Sequence, residues 1–231
     1  MTLLVGFPAG HEDRSGLELA ATLARSSGQD LALVTVVPSA WPTPVAGHTD
    51  REFEDWSQSR GRDAVRAAEA ILADHCPDLS ATATFVQGRS APGALAAEAE
   101  RIGASMIVVG AGHDGGYGRV VLGSTAHRLL HSSTVPVAVG TRGYRASEHG
   151  TVVRATCAFR GDEATGPLPD PTTRVVAAAR NWAHALDTLT RERDEVLVIG
   201  SSSASLVSRL FLGSNGAKIL RHSPVPAIVV P

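Results

Sequence analysis

Cysteine is nearly absent: two residues, Cys76 and Cys157, lie far apart and form no C-x-x-C pair. A disulfide framework and a cysteine-based zinc site are thereby disfavoured, and the chain fits a reducing cytoplasm. Aromatic residues amount to 4%, and Trp41, Trp56 and Trp182 are scattered, which suits packing. No apolar run approaches the roughly 20 residues needed to cross a bilayer. An excess of charge is also missing: the formal net charge is −2 and the pI about 6.5. That balance argues against a nucleic-acid or membrane-surface protein. The N-terminus MTLLVGFPAGHEDR has no basic stretch before its apolar run and does not read as a signal peptide. The expectation is a cytoplasmic protein without membrane or nucleic-acid partners.

What the chain does have is a segment that occurs twice. Residues 107–139 read IVVGAGHDGGYGRVVLGSTAHRLLHSSTVPVAV, and residues 197–229 read LVIGSSSASLVSRLFLGSNGAKILRHSPVPAIV. An offset of 90 residues pairs Gly110 with Gly200, Arg119 with Arg209, Gly123-Ser124 with Gly213-Ser214, and Val135-Pro136 with Val225-Pro226. Each copy reads as an apolar strand ending in Gly, a small-residue loop, a Gly-Ser helix start, an amphipathic helix and a second strand.

Around the first copy the pattern is βαβαβαβαβ. Strands are expected at Thr2–Phe7, Leu31–Val37, Thr82–Val86, Ser105–Val109 and Val135–Val139. Helices are expected at Leu17–Ala24, Arg51–Asp74, Pro92–Arg101 and Ser124–His131, with a Pro-rich loop over 38–50. Such alternation gives an open parallel five-stranded sheet with helices on both faces, the α/β fold class. Around the second copy the pattern is trimmed. Val152–Phe159 supplies an opening strand, and at an offset of 91 Arg180 and Ala185-Leu186 match Arg89 and Ala94-Leu95. The residues after GDEATGPLPDP therefore correspond to the third strand of the first half. Two domains follow: a complete one over 1–141 and a truncated copy over 142–231 that lacks the first helix, second strand and second helix.

A strand ending in Gly, then Gly-Ser at a helix start, suits an anion. Glycine lets the backbone come close, and the exposed N–H groups of the first turn carry partial positive charge. No Asp or Glu occurs from Gly115 to Ser147 or from Val196 to Pro231. The plain alternative is that Ser124 and Ser214 merely cap helices. Gly110-Ala-Gly112-His-Asp-Gly115 matches G-x-G-x-x-G, but loop follows it and no acid appears about 20 residues on, so it is no dinucleotide fingerprint. Gly118–Thr125 misses a P-loop because Ser124 stands where the phosphate-binding Lys belongs. His127 and His131 lie four apart on a helix, yet no third metal ligand is evident. Cys76 has no adjacent base, and the carboxylates at 52–55 and 192–195 read as solvated faces. No catalytic constellation appears, and no metal is expected.

The spacing G-x2-G-x9-G-[S/T] between strand and helix, followed by a Pro-Val strand, resembles the universal stress protein family. GSSSASLVSRLFLGSNGAKILRHSPVPAIVVP looks especially like the tandem members of actinobacteria. The resemblance covers the whole chain and implies an adenine-nucleotide alpha-hydrolase-like fold, with domains pairing through their last strands, 135–140 and 225–230. In the ATP-binding branch the Gly-rich loop and Gly-Ser hold the phosphates, a first-strand Asp contacts the nucleotide and a second-strand Val contacts adenine. Carried over, that implies a nucleotide site of Val36, Val109, Gly110, Gly112, His113, Gly123, Ser124 and Thr125. His113 stands where the second Gly of the motif is expected, and Pro8 replaces the Asp. The second half keeps Gly200, Gly213, Ser214 and Asn215, with Ser203 for the Gly and Arg160 for the Asp, as a relic site. Two functions lead at this point: a stress-response protein that binds ATP in its first domain and pairs through its second, with homodimerisation open, or a non-binding scaffold of the same fold. A third, an ATP-using enzyme of a related α/β fold, would need S-G-G-x-D-S or H-x-G-H, and neither occurs.

Overall fold

Strands form here where apolar runs can be buried on both faces, the signature of a covered parallel sheet. The computed structural model describes residues 1–8, 10, 14–40, 49–112, 116–159, 173–177, 192–200 and 214–230. Within them nine strands are formed: β1 Thr2–Gly6, β2 Asp30–Pro38, β3 Ala81–Gly88, β4 Met106–Val109, β5 Val137–Val139, β6 Arg154–Phe159, β7 Thr173–Ala177, β8 Glu195–Gly200 and β9 Ala227–Val230. Among the described residues five helices accompany them: α1 Ser15–Ser27, α2 Thr49–His75, α3 Ala91–Ile102, α4 Ser124–Leu129 and α5 Ser214–His222.

All nine strands lie in one sheet, in the order β3-β2-β1-β4-β5-β9-β8-β6-β7. Every neighbouring pair is parallel except β5 and β9, which run antiparallel. The expected pairing of the two halves through their last strands is therefore present, and it fuses two open parallel sheets into one mixed sheet. The register locates the axis that relates them. Val137 pairs with Val229, Ala138 with Ile228 and Val139 with Ala227. Ala138 and Ile228 are 90 residues apart, the offset of the sequence repeat, so each faces its own counterpart. A pseudo-two-fold axis passes between them.

Alternation along each strand sorts the core into two layers. Leu4, Ile107, Val137, Val139, Leu197, Ala227 and Val229 point to one face, where Leu95 of α3, Leu129 of α4 and Ile219 and Leu220 of α5 cover them. Leu3, Val5, Leu31, Leu33, Val108, Ala138, Val196 and Ile228 point to the other, beneath α1 and the C-terminal half of α2. Both layers run without interruption across the pseudo-two-fold axis.

In the second half, β7 lies beside β6, the place that β2 takes beside β1. The offset of 91 residues nevertheless matches Thr173–Ala177 to residues 82–86 of β3.

Two sequence expectations change. The carboxylates at 194 and 195 are not a solvated face: Asp194 is 3% exposed and Glu195 1%. Glu195 opens β8 and accepts from Thr156 Oγ1 at 2.6 Å and from the Glu192 N–H at 3.1 Å. Arg154 lies 3.6 Å from it. The charged run RERDE ends inside the sheet because these partners replace water. Trp56 also departs from expectation. It is 46% exposed on α2, beside Phe53 and under the Arg60 guanidinium, rather than in the core. Trp41 and Trp182 lie outside the described residues. No described helix is long and apolar enough to cross a membrane.

Candidate functional site

The strand order reverses direction at β1: the chain continues to β2 on one side, and β4 lies on the other. Open α/β sheets bind ligands in the crevice at the carboxyl ends of strands at such a switch point. A cavity of about 530 Å³ opens at this place. Its walls come from Gly6, Phe7 and Pro8 at the end of β1, Val34 and Val36 of β2, and Arg14, Gly16 and Leu17 at the start of α1. Ala91 and Leu95 of α3, the 109–112 loop and the 123–126 helix start complete it.

The cavity exists because backbones approach closely around it. A β-carbon on Gly16 would lie 2.7 Å from the Gly110 nitrogen, and one on Gly112 would lie 2.8 Å from the Gly123 nitrogen. Glycine at these positions lets α1, the β4 loop and the start of α4 meet. Ser15 Oγ accepts from the Ala111 N–H at 3.2 Å, and Val121 O accepts from the Gly112 N–H at 2.7 Å. Those two loop amides are thus already engaged. At α4 the first intrahelical bond runs from the His127 N–H to Gly123 O at 2.9 Å. The N–H groups of Ser124, Thr125 and Ala126 therefore have no partner within the helix, and all three residues line the cavity. Gly123, the residue before the helix, caps it without a side-chain bond.

The structure brings Val36, Val109, Gly110, Gly112, Gly123, Ser124 and Thr125 into this one cavity. His113 lies outside the described residues. Pro8, which stands where the resemblance implies a carboxylate, is exposed and lines the cavity. Among the described lining residues there is no carboxylate. Among the lining residues that sequence reasoning missed are Arg14, Gly16, Leu17, Val34, Ala91 and Leu95. Arg14 is the charged member of the wall, and its guanidinium contacts the His75 ring at the end of α2. Gly16 offered a weak signal: a glycine inside a helical pattern often has a packing reason.

In the second half, Gly200 ends β8 and is exposed, and Ser214 and Asn215 open α5. Ser203, Gly213 and Arg160 lie outside the described residues.

The other candidate chemistries do not gather partners. His127 and His131 stack at 4.9 Å with rings tilted by 56°. Burial, then the neighbouring His127, lowers the pKa of His131. Among the described residues no group of three His, Cys, Asp or Glu side chains could hold a metal ion. Cys76 is buried, and its thiol is pushed up to about 11, chiefly by burial.

Comparison with known proteins places this geometry. The model of the universal stress protein family matches residues 1–140 and 153–231. The universal stress protein Rv2319c of Mycobacterium tuberculosis H37Rv is 31% identical over 291 aligned positions, covering all of both chains. A universal stress protein of Archaeoglobus fulgidus DSM 4304 shares the fold with a TM-score of 0.65 at 16% identity, over 99% of this chain and 97% of that one. Protein PA1789 of Pseudomonas aeruginosa PAO1, of unknown function, does so with a TM-score of 0.59 at 13% identity, over 99% and 92%. With the family model on both halves and the relative matched end to end, the chain belongs to the universal stress protein family, as a tandem member.

Proposed function

We propose that the chain is a cytoplasmic stress-response regulator that holds an adenine nucleotide, ATP in the first instance, in the cavity of its first half. The observation that carries this reading is the convergence of an apolar slot and an anion-ready helix start in one cavity. Val34, Val36 and Leu95 offer a wall suited to a planar base, and the first-turn N–H groups of Ser124, Thr125 and Ala126, without partners inside the helix, suit its phosphates. On this reading residues 1–141 form the binding domain and residues 142–231 a shortened pairing domain. The family match over 1–140 and 153–231 supports that division. The alignment with the mycobacterial relative supports the shortening: it spans 291 positions against 231 residues here, leaving about 60 (291 − 231) unmatched.

Isothermal titration with ATP tests it. Saturable binding in the micromolar range is expected, weakened at least tenfold by Gly123→Val, whose two γ-methyls must be fitted at the helix start beyond a β-carbon already in van der Waals contact with Gly112 Cα at 3.4 Å. Pro8, where the resemblance implies an Asp, favours the second reading, a scaffold that binds no nucleotide. Absence of binding up to millimolar ATP would leave that reading standing.

A further inference from the structure

Among the described residues, the non-glycine residues with left-handed backbone are His149 (φ 53°) and Asp194 (φ 62°). Neither lies in the cavity. Both belong to one contact, where the connector between the halves meets the turn before β8. Backbone outliers of this kind persist only where surroundings impose them. Asp194 is buried, and its carboxylate accepts from Tyr144 Oη at 3.0 Å, from the Ser147 N–H at 3.2 Å, and from Ser147 Oγ. The Asp194 carbonyl accepts from the Val153 N–H at 3.2 Å. Burial, foremost, pushes the Tyr144 hydroxyl up to about 12, so it remains a donor at neutral pH. A β-carbon on Gly150 would lie 2.8 Å from Asp194 Oδ2, so the connector has no spare room there.

The same connector is fastened to α1. Glu18 Oε2 accepts from the Ala146 N–H at 3.4 Å, Thr22 Oγ1 lies 3.5 Å from Tyr144 Oη, and Ser26 Oγ accepts from the Val152 N–H at 2.7 Å. Glu18, Thr22 and Ser26 are four apart, so they form one stripe along the helix. The first turn of that helix supplies Arg14, Gly16 and Leu17 to the cavity. A β-carbon on Gly140, where the connector leaves β5, would lie 3.0 Å from Ser15 O.

From this geometry we infer that residues 144–153 are a clasp through which the second half positions α1, and with it one wall of the cavity, with Asp194 as its hub. Asp194 and Tyr144 are positioning residues: they touch no ligand, yet they fix the helix that shapes the site. For the ligand the inference rests on the nucleotide reading above. For the helix it stands alone. In the intact chain, Asp194→Asn and Tyr144→Phe should speed amide exchange by about tenfold in residues 144–153 and also in the first turn of α1, leaving α3 unchanged. Both should weaken ATP binding about tenfold. A Thr22→Ala/Tyr144→Phe pair should be less than additive, as residues acting through one contact are. Should Asp194→Asn fail to fold, Tyr144→Phe decides. Faster exchange confined to 144–153, with α1 and ATP affinity unmoved, would overturn the clasp. Absence of ATP binding in the unaltered protein would defeat only the nucleotide reading, since exchange in α1 still decides the clasp.

Discussion

Replacing Leu220 by Ala should destabilise both halves of the molecule at once. Leu220 is fully buried on α5, in the core layer that also contains Leu4 and Leu129 from the first half. Truncation removes three buried carbons, about 2.4 kcal/mol at roughly 0.8 kcal/mol each. The unfilled space raises this to about 3–4 kcal/mol. For a chain of this size each kcal/mol lowers Tm by about 2–4 °C, so a fall of about 6–16 °C is expected. The informative quantity is the shape of the transition. Because the sheet and both core layers cross the pseudo-two-fold axis, scanning calorimetry should show one shifted endotherm. Leu4→Ala, from the far side of the same layer, should shift the same endotherm by a similar amount. A second, earlier endotherm in Leu220→Ala, with the remainder melting at the original temperature, would refute the shared core.

Other expectations follow from single contacts. Arg25 grips Asp78 through two bonds of 2.7 and 2.8 Å and holds its carboxyl down to about 2. The lowered value means that stability is present above pH 4 and lost as pH falls through about 2. Asp78→Asn should therefore cost about 1 kcal/mol in urea titrations at pH 7, discounted for exposure, and nothing near pH 2. Cys76, with its thiol raised to about 11, should resist a thiol reagent in the native state at pH 8 and react only on unfolding, as read by mass spectrometry of its peptide. Gly61→Ala sets two effects against each other. Helix propensity favours Ala by about 1 kcal/mol, but the β-carbon would lie 2.4–2.7 Å from the Phe85 ring. Overpacking costs about 1–3 kcal/mol, so a lower Tm is expected, relieved by adding Phe85→Leu.

What was legible in the sequence was what depends on local pattern. Apolar runs such as LLV at 3–5 and IVV at 107–109 announce strands buried on both faces, and β1 and β4 form there. The repeat announced more than its own fold. Its offset of 90 residues reappears as the Ala138–Ile228 register. Less legible was anything requiring partners distant in sequence. The run RERDE looks solvated because its exposed neighbours and its buried members have the same composition. Tyr144, Ser147 and Thr156, many residues away, are among the partners that satisfy Asp194 and Glu195 inside. The cavity shows the same division. Gly110, Gly112 and Gly123 stand out as a spaced motif, whereas Leu17 and Leu95 are two leucines among many helical ones. That they face the slot is decided by how α1 and α3 sit on the sheet.

The pairing of Ala138 with Ile228 also bears on what the two halves are free to become. In a dimer of identical chains, the residue on the two-fold axis meets a copy of itself, and every change is made twice. Here a small residue meets a larger one, a combination closed to a symmetric pair. Tethering also removes dilution as a threat, since the halves meet at a local concentration fixed by a short connector rather than by expression level. One half can thus forfeit its own crevice and still serve as the other's permanent neighbour.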